Sequence, residues 1–344
     1  MYRWLRRLIS GSPAPARPEP APAPSSMPAA DAGAGPARPA RPPVPFELLD
    51  RVGGAWNAWL YERPDEGGLE LNPHEAQVLE TLGGILSSQQ SGAALVRRMP
   101  GLIPQLLQSL RSETFSGSAL SRTISSDVVL VAAVIRLANS CYQTTGASVT
   151  SVEQAVILIG QEGLRQLITT VAFRPIIDVH SGYYVRRLAP ILWEHSERCA
   201  IASRKMAPAL GIEPFDAFLA ALLQNVGLTV ALRSMDQVTK GEPQLGSGVF
   251  WAQLARDTRR LSVSIAREWN FPESVVRALD EQGGMRKGAV MSPLGRLLML
   301  VDYLGKLRVL VEQEVLEDGD ARLFAGLPGD AGECYALLEG TRSA

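Results

Sequence analysis

The chain has 344 residues, 46% of them hydrophobic, and 34 lysines and arginines stand against 35 aspartates and glutamates for a formal net charge of −1. That is enough apolar material for one large or two ordinary domains, while a near-zero charge excludes a whole-molecule attraction to nucleic acid or to a membrane. No uninterrupted apolar run reaches the roughly 18 residues of a spanning helix. Three scattered cysteines, Cys141, Cys199 and Cys334, outside any Cys-x-x-Cys spacing, exclude a disulfide framework and a cysteine zinc site. A reducing cytoplasm is the expected location, with Cys141 and Cys199 as inert core residues.

Residues 1–45 are expected to form a disordered tail. Twelve of the 24 prolines fall between Pro13 and Pro45, mixed with Ala, Gly, Ser and Arg, a composition that cannot bury a core. At its tip, Trp4, Leu5, Leu8 and Ile9 share one helical face and Arg3, Arg6 and Arg7 the other. Two readings stay open for this tip: a short anchor for an anionic membrane surface or a partner groove, or a plain disordered start.

Residues 46–92 form a helical segment. Phe46, Leu48, Leu49, Val52, Trp56, Trp59 and Leu60 give a helical stripe, and Asn72-Pro73-His74-Glu75 has the N-cap, first-turn proline and acidic residue that open a second helix through Val78, Leu79 and Leu82. His74 is read as solvated. Further apolar faces follow at helical spacing: Ile103, Leu106, Leu107 and Leu110; Val128, Val131, Ala132 and Ile135; Val152, Ala155, Val156 and Ile159; Leu164, Leu167, Ile168 and Val171. Thr150-Ser151-Val152-Glu153 has capping-box spacing, and Gly160 is placed to close that helix. With no sustained period-two alternation, the fold class is all-α. Residues 241–248, with Pro243 and three glycines, read as a flexible loop, and the tail 311–344 carries a short helix near Cys334 to Leu338.

Two resemblances emerge. Asp127, then Leu137-Ala138-Asn139-Ser140-Cys141-Tyr142, then Thr150-Ser151-Val152-Glu153-Gln154-Ala155-Val156-Ile157-Leu158-Ile159-Gly160, together with Trp193-Glu194-His195-Ser196, is similar to the HDOD domain, the HD-related output domain of bacterial signalling proteins. The helix with His195, followed by Leu222-Leu223-Gln224-Asn225-Val226-Gly227, resembles the core of the HD phosphohydrolases, where a histidine, a His-Asp pair and a terminal aspartate hold a divalent metal. Here the pair is Gln224-Asn225, and Asp302 resembles the terminal aspartate. Neutral amides are weak ligands for an ion that must lower the pKa of water. The family position near Thr258 and the pair near Glu281-Gln282 also carry no histidine. His195 is expected to be a hydrogen-bonded core histidine rather than a lone metal ligand, and Asn139 and Ser140 to close a helix.

The resemblance implies an HD-like multi-helix body over residues 93–310, in two lobes near 95–180 and 190–310 whose groove contains a degenerate HD site. The function so implied is a non-catalytic regulatory module of bacterial signal transduction, with no metal or cofactor, acting through a protein partner or a small regulatory ligand. Two alternatives stay open. One is a metal-dependent phosphohydrolase with the unusual ligands His195, Asp302 and Asn225. The other is a cyclic-dinucleotide sensor whose phosphates would meet Arg165, Arg186, Arg187 and Arg198. No nucleic acid is expected as a partner.

Overall fold

A computed structural model of the chain describes residues 40–62, 70–87, 182–240, 245–269, 271–283 and 290–339, with scattered positions between 124 and 169. Among the described residues every regular element is helical, apart from one isolated bridge between Ala40 and Met291. The all-α class read from periodicity is the class observed.

The chain divides into two compact units, one of residues 1–37 with 116–167 and one of 38–115 with 168–344. In the first, Ile124, Val134, Val149, Val152 and Ala155 are buried. There the Ser151 hydroxyl accepts from the Gln154 amide at 3.2 Å, so Ser151 caps this turn. Thr150 and Glu153 lie outside the described residues.

The second unit holds helices α1 (Phe46–Leu60), α2 (Pro73–Ser87), α3 (Tyr183–Met206), α4 (Pro214–Leu223), α5 (Val226–Thr239), α6 (Gly248–Glu268), α7 (Glu273–Glu281), α8 (Pro293–Glu312) and α9 (Ala331–Leu337). Helix α8 is its axis. Leu297, Leu298, Met299, Leu300, Val301, Tyr303, Leu304, Leu307 and Leu310 bury it on every side, as a helix apolar all round requires. It packs against α1, α3, α4, α7 and α9. The run Pro214–Thr239 is long and apolar enough to cross a membrane, yet most of it is buried inside this body, where it fills the core as α4 and α5.

Several joints are set by single side chains. In α2, Asn72 Oδ1 accepts from the Glu75 amide as the N-cap read from the sequence, and Glu75 Oε2 accepts in return from the Asn72 amide, both at 2.9 Å. Glu75 is fully buried and also accepts from the amides of Gly246 and Ser247 at 2.8 and 2.7 Å and from the Ser247 hydroxyl at 2.8 Å. Those four donors hold its carboxyl below the ordinary value despite burial. His74, read as solvated, is half-buried, because the bonds of Glu75 to Gly246 and Ser247 draw the first turn against the body. The expected loop 241–248 is shorter than its glycines imply: Gly248 already belongs to α6, and Ser247 caps that helix by accepting from the Phe250 amide. Residues 241–244 lie outside the described residues.

Helix α3 starts at a glycine N-cap with no side chain of its own. Asp236, on α5, supplies the missing acceptors, taking the amides of Tyr184 and Val185 at 2.8 and 3.0 Å. Within α3, Pro190 removes one backbone hydrogen bond, so this start depends more than most on its tertiary cap.

Candidate functional site

Helix α3 buries Leu188, Leu192, His195, Cys199, Ala202 and Met206 at alternating spacings of four and three, a single apolar stripe that turns His195 inward. Its side chain is 1% exposed. His195 Nε2 lies 2.9 Å from Asp302 Oδ1 on α8, and Lys306 Nζ, one turn further along α8, lies 2.6 Å from Asp302 Oδ2. The Trp56 ring of α1 packs on the imidazole at 5.1 Å between centroids. Gly305 is required on the remaining side, because a Cβ there would come within 2.8 Å of Cys199 Sγ and 2.9 Å of His195 Cε1.

The α4–α5 break brings Gln224 and Asn225 to the same place. Asn225 Nδ2 donates to the Ser196 hydroxyl at 3.0 Å. The Ser262 hydroxyl of α6 stitches the break, accepting from the Gly227 amide at 2.9 Å and donating to the Gln224 carbonyl at 3.2 Å. Gly227 lets α5 and α6 meet this closely, since a Cβ would stand 2.0 Å from the Thr258 carbonyl oxygen. The Gln224 Nε2 amide is buried without a hydrogen-bond partner. The Cys199 sulfur feels this amide, although sulfur is a weak acceptor.

The electrostatics follow from burial and from one cation. Burial pushes His195 below the ordinary histidine value, a shift that Asp302 opposes and that Lys306 and Arg198 reinforce. Burial alone would raise Asp302, but the Lys306 ammonium and the His195 contact outweigh it and hold the carboxyl well below the usual range. A neutral imidazole donating Nε2–H to a carboxylate satisfies both groups. Burial also pushes up both described thiols, Cys199 well above its usual value and Cys334 to about 12, so neither is a ready thiolate.

This donor set does not fit a water-activating divalent ion. Both Asp302 oxygens are engaged, one by His195 and one by an ammonium that brings its own positive charge. Gln224 and Asn225 offer amides, and among the described residues no three His, Cys, Asp or Glu side chains converge on a common centre.

The four positions expected from the HD resemblance, His195, Gln224, Asn225 and Asp302, are brought together. Trp193 is half-buried on α3. Arg198 is paired with Glu194 and Glu312, and Arg187 with Glu62, whereas Arg186 is exposed. Glu281 and Gln282 serve a joint instead: Glu281 accepts from the amide and hydroxyl of Ser292, and Gln282 Nε2 donates to the Ala278 and Gly295 carbonyls. Asp127, Asn139, Ser140, Gly160, Arg165 and the tip residues 3–9 lie outside the described residues. Sequence reasoning missed Lys306 and gave Ser196 and Trp56 no place at this site; the Asp302–Lys306 spacing of four along one helix was the available signal for the first.

A cavity of about 470 Å³ opens beside Asp302, walled by α1, α3, α5, α6, α7 and α8 and by the link between α4 and α5. Gln224, Asn225 and Lys306 contribute to it, together with Phe46, Trp56 and Tyr61 from the α1 side.

Fold and site together define an all-helical protein of the HD type. The family model for the HDOD domain matches residues 96–284, more than half of the chain, and the chain belongs to that family. Solved structures share the fold. A candidate phosphohydrolase from Shewanella amazonensis SB2B superposes with a TM-score of 0.51 at 23% identity over 72% of this chain and 93% of its own. An HDOD domain protein of unknown function from Geobacter sulfurreducens gives 0.51 at 16% identity, over 77% and 88%. A candidate signal transduction protein from Marinobacter aquaeolei VT8 gives 0.51 at 19%, over 79% of this chain and 64% of its own. No curated relative matches the sequence.

Proposed function

We propose that this chain is a non-catalytic regulatory module of signal transduction, working in the cytoplasm by binding a protein partner or a small regulatory ligand on a degenerate HD scaffold. The observation that carries the reading is the Lys306 ammonium at 2.6 Å from Asp302, the carboxylate that would otherwise face an ion. With amides at 224 and 225, the scaffold keeps its shape while its charge requirement is met from within. Family membership supports the signalling role.

The test is elemental analysis of the purified protein, combined with phosphodiester cleavage under added manganese or magnesium. The expected result is sub-stoichiometric metal and no turnover above background. Stoichiometric metal with turnover abolished by His195→Ala would overturn the proposal. Partner capture with mass spectrometry identifies the protein bound, and vesicle sedimentation of the full chain against a version starting at Pro45 tests whether the tip adds membrane contact.

A further inference from the structure

We propose that the cavity beside Asp302 is a binding site for a small molecule that combines a planar ring with an oxyanion head. This deepens the preceding proposal and rests on it in one respect, that the site binds its ligand without cutting it.

The volume, about 470 Å³, lies within the range of about 300–1,000 Å³ typical of small-molecule sites. The lining has an aromatic side and a donor side. Phe46, Trp56 and Tyr61 come from α1 and the residue following it. Phe46 is 66% exposed, an unusual state for a large apolar ring beside an opening, and Tyr61 is stiffened by stacking on Trp251 at 3.6 Å. Trp56 is buried against His195, so the ring surface open to another ring is that of Phe46 and the free face of Tyr61.

On the donor side stand Gln224, Arg259 and Lys306. The Gln224 Nε2 amide is buried with only the Cys199 sulfur, a weak acceptor, beside it, and a buried donor left without a full partner costs about 1–3 kcal/mol unless a ligand or water relieves it. Arg259 is exposed, and no acid among the described residues pairs with it. Lys306 has three N–H donors and is shown using one, on Asp302. Both Asp302 oxygens and the Ser262 hydroxyl oxygen already accept hydrogen bonds, and the Thr258 hydroxyl donates its proton to the Leu254 carbonyl. Asp50, the other acid of the lining, is exposed. The spare donors of Gln224, Arg259 and Lys306 suit accepting oxygens with negative charge, matched by guanidinium and ammonium groups.

The aromatic side lies outside residues 96–284, the segment that matches the family. An occupant would therefore bridge α1 to the family body, joining the N-terminal part of the chain to the HD-like site.

The test is calorimetric titration of the full chain with adenosine 5′-monophosphate and with 2-naphthoate. Adenosine and 2-naphthol serve as uncharged counterparts, and the adenylate is assayed for released phosphate. At least one anion should bind saturably, about tenfold tighter than its counterpart, and Arg259→Ala should weaken it about tenfold, the value of one charge-assisted hydrogen bond. Gly53→Leu should block binding, because Gly53 lines the cavity and a Cβ there meets nothing within 4 Å. That variant should fold at least as well as the parent, since leucine is the better helix former, and its thermal midpoint verifies this. Absence of binding by both anions, equal binding of the uncharged counterparts, or binding unaffected in both variants would overturn the inference while leaving the regulatory reading intact. Binding accompanied by phosphate release would support the site and sink the non-catalytic reading instead.

Discussion

Replacing Lys306 with methionine keeps the stem of the side chain and deletes its charge. Asp302 would then retain only the His195 contact at 2.9 Å, with its side chain 26% exposed. Breaking a fully buried pair by removing one partner costs about 3–5 kcal/mol; with this degree of exposure the expected loss is about 1–3 kcal/mol. The sign of the pH dependence follows from both neighbours. Asp302 has a depressed folded pKa, so its contribution is present above the unfolded carboxyl value and is lost as pH falls through the folded one. His195 is held down partly by Lys306, so in the variant its pKa rises. A protonated His195 then compensates Asp302 at low pH, and that help disappears as pH rises. The stability deficit should therefore be larger at pH 8 than at pH 5 in urea denaturation, and the His195 ring resonance should titrate at higher pH than in the parent. A deficit under about 0.5 kcal/mol at both pH values, the ordinary scatter of surface changes, or an unmoved His195 titration would refute the account of Lys306 as the resident cation.

Two further substitutions probe the joints. Glu75→Gln replaces one acceptor oxygen with a donor that faces the Asn72 amide, at an expected cost of about 1.5–3 kcal/mol. Because Glu75 has a lowered folded pKa, the gap between parent and variant should shrink as pH falls below the usual carboxyl range; a gap that stays constant into acid denies the carboxylate its role. Gly227→Ala should lower stability by about 1–3 kcal/mol, despite the better helix propensity of alanine, because α5 and α6 must separate to admit the methyl group; a raised melting midpoint would show that the close approach is not required.

Local rules made part of this molecule readable. The cap at Asn72 and Glu75, the first-turn proline of α2 and the inward stripe of α3 depend on neighbours three or four residues apart, so their spacing declares them. The extent of the loop before α6 was not readable, because the carboxylate that orders Ser247 comes from a position 172 residues earlier. His195 was legible as a core histidine and Asp302 as the counterpart of the terminal aspartate, but their pairing joins positions 107 apart. Trp56 was visible as one residue of an apolar stripe; that it covers His195 is a fact of packing, which periodicity does not encode. Lys306 was encoded locally, and its importance was hidden by how commonly such acid and base pairs decorate exposed helices.

The borrowed cap of α3 has a consequence for the order in which the molecule is made. Tyr184 leaves the ribosome 52 residues ahead of Asp236, which at ordinary synthesis rates of about 5–20 residues per second leaves roughly 3–10 s in which the first turn has no acceptor for its amides. During that interval the helix bearing His195 has a frayed beginning, open to proteases in stalled nascent chains that end short of Asp236 and closed in those that extend beyond α5. The imidazole is thus set in place only after a later helix arrives.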